Sequence, residues 1–402
     1  MKNLIHILLL FTALVLYCSC KKDWLEGKPD KSLIAPKTIE DYQQLLNNRD
    51  VFGANAPGLG EIATDDLYLS QDVWPTIEII SGNTYIWADD IYEGSANGDW
   101  TNAYNRIMQA NIILDGLAKI TPNNQTHPAW SSAKGQALFY RGLAYFDLAG
   151  LFCDVYNPAT AKTALGLPLK QNYNVNEMIP RTTLEETYDF MLKDLQQARE
   201  LLPTTQRWKT TPNKFAAKGL LARVYLAMED YSMALMESNE CLLQNDDLLD
   251  YNNLDEKSAY PIPLFNDEVV WHGEMANYPA HPNYDGFIDT TFYRSYADND
   301  LRKSLFYLLS TGGIKFRGSY SASNFPLFTG IANDELYLIR AESLARQGEL
   351  QAALQDLYTL MGKRYRKDSN DGDHYPKVKE GTKDEILTLI LKERRKELVL
   401  RN

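Results

Sequence analysis

The sequence predicts an all-α-dominated fold in which antiparallel helix pairs form a scaffold, interrupted by long irregular segments and a few short strands. Three observations support this prediction: a helical pattern that recurs in three segments, turn residues where helices should be joined, and two long stretches without helical periodicity. Of the 402 residues, 45% are hydrophobic and 23% are charged. This composition is typical of a globular protein and argues against a disordered chain.

Residues 1–20 are predicted to be a lipoprotein signal peptide that stands apart from the fold. Lys2 precedes a mostly apolar run that ends near residue 16, which is short for a membrane-spanning helix. The small residue Ser19 then precedes Cys20. This ending resembles a bacterial lipobox, so we expect Cys20 to be acylated and to anchor the mature chain. Simple secretion, with the cysteine discarded, is the alternative.

The mature chain, residues 21–402, is predicted to form one domain with scaffold parts and irregular parts. The scaffold is expected at about 28–53, 100–245 and 331–402, and the irregular parts at about 54–99 and 246–330. The irregular parts are rich in Gly, Pro, Asn and aromatic residues. Long irregular segments in a compact domain are usually functional, so any binding site is expected there.

Two scaffold helices can be placed from their apolar spacing and their ends. The first is expected at 100–117, where Trp100, Tyr104 and Ile107 recur at helical spacing. The second is expected at 183–202, with Thr182 or Thr183 as the N-cap and Pro203 closing it. Both helices precede segments of the recurring pattern.

The recurring pattern places a small residue three positions before a large one. The small residues are Gly142, Ala222 and Ala341, and the segments are 137–145, 217–225 and 336–344. In tetratricopeptide units such a residue lets two antiparallel helices approach closely. Ala234 and Ala353 each follow 12 positions after the second and third small residue, as expected on a partner helix. Short connectors at 228–231 and 347–349 would join the two helices of each pair.

Charge and reactive side chains exclude several classes of function. The whole chain has a net charge of −12, and removal of the leader with its single charge, Lys2, gives the body −13. An acidic body disfavours nucleic acids and anionic polymers, whereas neutral ligands are accommodated more easily. Cys153 and Cys241 are expected to be buried free thiols. Because no His or Cys pair has metal-ligand spacing and no nucleophile motif occurs, we predict no catalytic residues, no metal and no cofactor.

Several segments, in the same order along the chain, resemble the SusD/RagB family of outer-membrane nutrient-binding lipoproteins. These segments are 28–33, 38–42, 100–111, 141–152, 295–302, 328–330, 340–342 and 393–398. The resemblance covers nearly the whole mature chain. Two features depart from the family pattern: Lys21-Lys22-Asp23 stands where many relatives have an acidic run, and Asn402 ends the chain inside an amphipathic segment. The first leaves open which leaflet the anchor would occupy, and the second suggests a truncated reading frame.

The resemblance implies a right-handed superhelix of tetratricopeptide-like helix pairs that docks on a SusC-like TonB-dependent transporter. The protein would lie on the outer membrane, facing the exterior, and would act as a lid that presents substrate from its irregular half. Such a protein is not an enzyme. It would bind a nutrient oligosaccharide and deliver it to the transporter.

Capture of a sugar needs flat aromatic faces flanked by groups that bond hydroxyls, and both irregular parts contain them. The predicted ligand-binding residues are Tyr68, Trp74, Trp271, Tyr278 and Tyr284. Trp74 is the preferred candidate, since it precedes Pro75 in a polar loop. Trp271 is the least certain, because residues 268–273 also read as a short strand with alternate residues buried. Tyr85 and Trp87 are interpreted as core residues on one face of a strand.

Three other functions remain open from the sequence. A peptide ligand is the first, because Tyr-rich and Asn-rich surfaces serve backbone recognition as well as they serve sugar hydroxyls. A tetratricopeptide-type scaffold for protein partners is the second, although it would not need two long insertions. A surface enzyme is the third, and turnover of a glycan or peptide by the purified chain would reveal it.

Overall fold

The computed structural model of the chain describes residues 36–323, 325–367, 375–378 and 381–401. Cys20 and the rest of the predicted signal peptide lie outside these residues. The helices are α1 (Ile39–Leu46), α2 (Arg49–Phe52), α3 (Leu59–Ile62), α4 (Ile79–Tyr85), α5 (Gly98–Ala118), α6 (His127–Phe152), α7 (Leu184–Leu201), α8 (Lys214–Ala227), α9 (Tyr231–Gln244), α10 (Thr290–Arg294), α11 (Arg302–Leu305), α12 (Asn333–Gln347), α13 (Leu350–Arg364) and α14 (Lys383–Glu397). The strands are β1 (Leu67–Tyr68), β2 (Val269–Trp271), β3 (Phe287–Ile288), β4 (Tyr307–Ser310), β5 (Gly313–Phe316) and β6 (Ile331–Ala332).

The long helices form a continuous stack. In chain order α5 packs on α6, α6 on α7, α7 on α8 and α8 on α9; α9 then packs on α12, and α12 on α13 and α14. The main hydrophobic core runs between helices α5 to α9 and the start of α12 and includes Ile107, Leu148, Leu195 and Leu220, all fully buried. The prediction of a helix-pair scaffold with irregular insertions is therefore confirmed.

The small residues of the recurring pattern lie where two helices meet. Ala222, Ala234, Ala341 and Ala353 are fully buried. A Cβ atom added to Gly142 would lie 2.8 Å from Leu195 Cγ on α7, inside van der Waals contact. The close approach predicted from the pattern is confirmed at Gly142, and the burial of the four alanines agrees with it.

The helix ends also follow the sequence. Thr183 caps α7, its side chain accepting from the Glu186 backbone N–H while the Glu186 carboxylate accepts from the Thr183 N–H. This capping box satisfies two backbone donors that the first turn leaves without partners. Between α12 and α13, Gly348 adopts a left-handed backbone (φ 91°), which glycine tolerates without steric cost.

The irregular half is organised by two small antiparallel sheets. One sheet has the strand order β1-β3-β5-β4, and the other pairs β2 with β6. Aromatic side chains fill the core beneath them, among them Phe306, Tyr307, Phe316 and Phe328. Since β1 and β3 are more than 200 residues apart in the chain, this sheet fastens the first irregular segment to the second.

The interpretation of Tyr85 and Trp87 as core residues on one face of a strand is wrong for the strand and for Trp87, whereas Tyr85 does pack against a buried apolar cluster. Residues 79–85 form helix α4, because the Glu78 carboxylate caps the backbone N–H groups of Ile80 and Ser81. Tyr85, the last residue of α4, is half-buried, whereas the Trp87 side chain is 74% exposed. The apolar residues of this segment therefore follow a helical period rather than the strand period that was expected.

Two further findings concern possible membrane-spanning helices and the cysteine thiols. Within the described part of the chain, no helix combines the length and the apolarity needed to cross a bilayer. Cys153 and Cys241 are both free, but only Cys241 is buried, and Cys153 is partly exposed.

Candidate functional site

Helix α4 presents an apolar face to solvent. Ile79 and Ile86, seven positions apart and so on one side of the helical turn, are 54% and 51% exposed. Trp74, in the short 3₁₀ helix Trp74–Thr76, is 44% exposed, and its Nε1 lies 3.9 Å from the position of a Cβ on Gly82 of α4. Trp74, Ile79, Gly82 and Ile86 together are called the α4 face.

Trp87, which follows the α4 face, has a strained backbone. Its φ of 56° lies in the left-handed region, and the N–H groups of Trp87 and Ala88 donate to the carbonyls of Thr84 and Asn83. Glycine usually occupies this helix-ending position, because a Cβ is crowded there. A large, exposed aromatic side chain held in such a conformation is a candidate for binding, since strain of this kind concentrates at functional sites.

The α4 face is supported from below by residues of the second irregular segment. Tyr278 packs in a small apolar cluster with Val73, Ile77 and Tyr85. Its hydroxyl donates to Asp99 Oδ1 at 2.7 Å, while Asp99 Oδ2 accepts from the backbone N–H of Gly58 at 2.9 Å. Burial raises the pKa of the Asp99 carboxyl, and these hydrogen bonds oppose that rise.

A second aromatic surface lies at the sheet. Tyr68 on β1 stacks on Phe287 of β3, with ring centroids 5.5 Å apart. Lys315 Nζ lies 3.8 Å from the Phe287 centroid and donates to the carbonyl of Tyr284 at 2.6 Å. The Tyr284 ring meets Phe325 edge to face, and these two side chains are 44% and 56% exposed. Tyr68 and Tyr284 are thus linked through Phe287 and Lys315.

These two surfaces hold exposed aromatic faces beside polar side chains. Gln71 and Asp72 are exposed next to Trp74, and Asp285 is exposed next to Tyr284. Such an arrangement suits a ligand with apolar ring faces and many hydroxyl groups. Among the described residues, no group of three His, Cys, Asp or Glu side chains is placed to hold a metal ion.

The family of the chain follows from a match to a family profile. The profile of SusD-like proteins, described as starch-binding and associating with the outer membrane, matches residues 23–226, half of the chain. The chain belongs to the SusD-like family. The resemblance inferred from the sequence is therefore confirmed.

Curated relatives carry the same family name. A SusD-like protein P2 of Formosa agariphila is 30% identical over 157 residues, 39% of this chain and 28% of the relative. A SusD-like protein of Bacteroides ovatus is 22% identical over 234 residues, 56% of this chain and 40% of the relative. The aligned part of this SusD-like chain thus spans less than half the length of these relatives.

Solved structures share the fold. A putative sugar-binding protein of Bacteroides vulgatus has a TM-score of 0.72 at 22% identity, covering 92% of this chain and 85% of that chain. A SusD superfamily protein of Bacteroides thetaiotaomicron has a TM-score of 0.70 at 21% identity, covering 90% and 87%. The fold of this SusD-like chain is therefore that of the superfamily over nearly its whole length.

Trp271 does not join either aromatic surface of this SusD-like chain. It lies on β2 with its side chain only 2% exposed, and its ring packs edge to face against Phe139 and Tyr140 of α6. No external ligand can reach this ring in the structure. Trp271 is accordingly a core residue, and its selection as a ligand-binding residue was wrong because strand alternation points it inward.

Sequence reasoning also missed residues that the structure exposes. Trp87 was assigned to the core, and Phe325 was not singled out at all. A signal for Phe325 existed, since an aromatic residue within a Ser- and Asn-rich loop has few apolar partners nearby in the chain. Trp87 gave no such signal, because its exposure depends on where α4 ends.

A cavity of about 660 Å³ between α10 and α14 contains none of the predicted ligand residues. Phe292 and Arg395 line it, and the Arg395 guanidinium covers the Phe292 ring at 5.2 Å from the centroid. Arg395 also pairs with Asp66. Because the Phe292 residue is also only 6% exposed, this cavity suits ring stacking less well than the two exposed surfaces.

Proposed function

We propose that this SusD-like chain binds a neutral oligosaccharide on the α4 face and delivers it to a SusC-like TonB-dependent transporter. It would do so as a non-enzymatic lipoprotein, anchored through Cys20 to the outer membrane and facing the exterior. The observation that carries the proposal is the exposure of Trp74 and Trp87 on the first irregular segment, which Asp99 of α5 joins to Gly58 and Tyr278.

The chemistry of the α4 face favours a sugar ligand. An indole offers a flat face to the C–H groups of a pyranose ring, and the adjacent Gln71 and Asp72 can bond its hydroxyls. The net charge of −12 disfavours anionic polymers. The description of the family as starch-binding and associating with the outer membrane agrees with this proposal.

Calorimetric titration of the mature chain with a panel of neutral oligosaccharides tests the proposal. For any saccharide that binds, Trp74→Ala should weaken binding by about two- to twelvefold, since one lost ring stack is worth about 0.5–1.5 kcal/mol. Tyr173→Ala is the matched control, because Tyr173 is 48% exposed but lies outside both irregular segments. Equal affinities for wild type and Trp74→Ala would remove the α4 face as the site.

A peptide is the second candidate ligand. Tyr284 and Phe325 form an exposed aromatic pair, and the Asn283 side chain donates to the Phe325 carbonyl at 3.1 Å. Aromatic and amide groups of this kind also recognise peptide backbone. A peptide library titrated in the same way, with Tyr284→Ala as the variant, distinguishes the two ligands.

A further inference from the structure

Trp208 is an exposed aromatic residue outside both irregular segments. It lies in the connector between α7 and α8, and 60% of its side chain is exposed. The Arg207 guanidinium lies 4.7 Å from the ring centroid and so occupies one side of the indole. The remaining exposure leaves a ring face open to solvent.

Two cavities adjoin this ring. One has a volume of about 250 Å³ and the other about 360 Å³, and Trp208 and Thr211 line both. The smaller cavity is rich in hydroxyl and amide side chains, namely those of Thr204, Thr205, Gln206, Asn213, Gln244 and Asn245. An aromatic plane among such groups can contact both the apolar face and the hydroxyls of a sugar ring.

The charge around Trp208 favours an uncharged ligand. No Asp or Glu is among the described residues that line the two cavities, although the chain as a whole is acidic. Lys209 Nζ donates to the Asn266 carbonyl at 2.7 Å, Arg49 pairs with Glu274, and the Arg207 guanidinium lies over the ring. No carboxylate among the described lining residues attracts a cationic ligand, and the net charge of −12 opposes an anionic one.

Asn333 supplies a buried acceptor at the same place. It lines the smaller cavity and is only 1% exposed, and its Nδ2 donates to the Asp247 carbonyl at 2.9 Å. Its Oδ1 has no hydrogen-bond partner among the described residues. A buried acceptor without a donor is costly, so a ligand hydroxyl that donates to it would gain free energy.

We propose that Trp208, with the two cavities beside it, is a second saccharide-binding site. A neutral sugar ring would stack on the open face of the indole, a hydroxyl would donate to Asn333 Oδ1, and the threonine and amide side chains would bind the others. The ligand class rests on the proposed function, whereas the site is independent of the α4 face. A saccharide bound here would be held mainly by the connector between α7 and α8, apart from the α4 face.

Fluorine NMR of the chain labelled with fluorotryptophan tests this proposal. The seven tryptophans each give a resonance, and Trp208→Phe and Trp74→Phe assign two of them by their absence. The probes are maltohexaose, cellohexaose, xylohexaose and mannohexaose, each titrated to millimolar concentration. The titration is made on the wild-type chain and repeated on Trp74→Ala.

We expect at least one probe to shift the Trp208 resonance in a saturable way, with the same midpoint in Trp74→Ala. A Trp208 resonance that no probe moves would overturn the proposal. If only the Trp74 resonance moves, the second site fails and the proposed function stands; if only Trp208 moves, the α4 face fails instead. Calorimetry gives an independent readout, since Trp208→Ala should remove one binding event and the Tyr173→Ala control none.

Discussion

Tyr278 has both a ring that supports the α4 face and a hydroxyl that satisfies a buried carboxylate. Asp99 is fully buried, and the Tyr278 hydroxyl provides one of the three hydrogen bonds that it accepts from Tyr278, Gly58 and Leu59. A buried carboxylate that loses a donor carries an uncompensated desolvation cost. These contacts indicate that Tyr278 positions the site, whereas Trp74 would touch the ligand.

Tyr278→Phe should therefore lower stability more than it lowers binding. We expect the free energy of unfolding to fall by about 1–3 kcal/mol, because the ring stays in place but the hydrogen bond to Asp99 is lost. Urea unfolding followed by tryptophan fluorescence measures this change. Tyr284→Phe is the control, and its exposed side chain should keep stability within about 0.5 kcal/mol of wild type. Unchanged stability together with weakened saccharide binding would instead make the Tyr278 hydroxyl a ligand contact.

At the site, sequence reasoning succeeded where local composition decides exposure and failed where tertiary contacts decide it. Trp74 was expected to be accessible because it lies in a polar loop, and it is. The burial of Trp271 depends on Phe139 and Tyr140, which lie about 130 residues earlier in the chain. No local pattern reports such a contact, so Trp271 could be doubted but not excluded.

Among the elements, α6 shows most directly how the small-residue pattern sets helix spacing. Gly142 faces Leu195 of α7 so closely that a methyl group has no room, whereas a Cβ on Gly150, eight residues later in the same helix, would meet nothing within 4 Å. The same substitution in one helix should therefore have opposite effects at the two positions.

Gly142→Ala should destabilise the chain, and Gly150→Ala should stabilise it. Overpacking at a helix contact costs about 1–3 kcal/mol, which exceeds the gain in helix propensity of about 0.5–1 kcal/mol. At Gly150 only that gain applies. Urea unfolding of both variants, with far-UV circular dichroism, measures the difference. A stabilising effect at both positions would show that α6 and α7 can move apart, and that the small residue does not fix their distance.

The scaffold helices could be predicted because their signals are local. The spacing of apolar residues in α5, the capping box at Thr183 and the glycine at 348 are each read within one or two turns. Helix α4 was missed because it has only seven residues, too few to separate helical from strand periodicity. The sheet that joins β1 to β3 could not be predicted, since its register pairs Leu67 with Ile288.

Across the whole molecule, a buried network of charges fastens the helix stack to the irregular half. Arg364, at the end of α13, donates to Glu397 Oε1 of α14 at 2.7 Å and to Glu268 Oε1 in the irregular half at 2.8 Å. Arg302 of α11 donates to Glu397 Oε2 at 2.9 Å. All four side chains are fully buried. Buried pairs such as these depend on every partner being present.

Glu268 makes this network sensitive to pH. Burial raises the pKa of Glu268 to about 7; the Arg364 charge opposes the rise, and the nearby Asp334 and Glu397 carboxylates add to it. In the unfolded chain a glutamate titrates near pH ~4.3. Between these values the folded chain holds a proton that the unfolded chain has lost. Stability from this group is therefore complete below the unfolded pKa and is lost as pH rises through about 7.

The contribution of Glu268 to the free energy of unfolding should consequently fall by about 1 kcal/mol between roughly pH 6.5 and 8. Buried His281, whose pKa burial lowers to about 4, has the opposite sign and still gains a little stability just above its unfolded pKa of ~6.5. Because His281 is present in wild type and in Glu268→Gln, its contribution cancels in the difference between their slopes. In Glu268→Gln the amide cannot titrate, so most of the fall should disappear, whatever the change in absolute stability. Urea unfolding at pH values across that window measures both slopes.

Glu335→Gln provides the matched control for this slope. Glu335 is also buried, but the charge and hydrogen bonds of Arg223 outweigh burial and lower the pKa of its carboxyl. Its titration is therefore finished well below the window, and the variant should keep the wild-type slope even if it unfolds more easily. The contrary result is a fall in the free energy of unfolding that survives in Glu268→Gln and disappears in Glu335→Gln. It would assign the pH dependence to the contact between α8 and α12 rather than to the network that holds the irregular half.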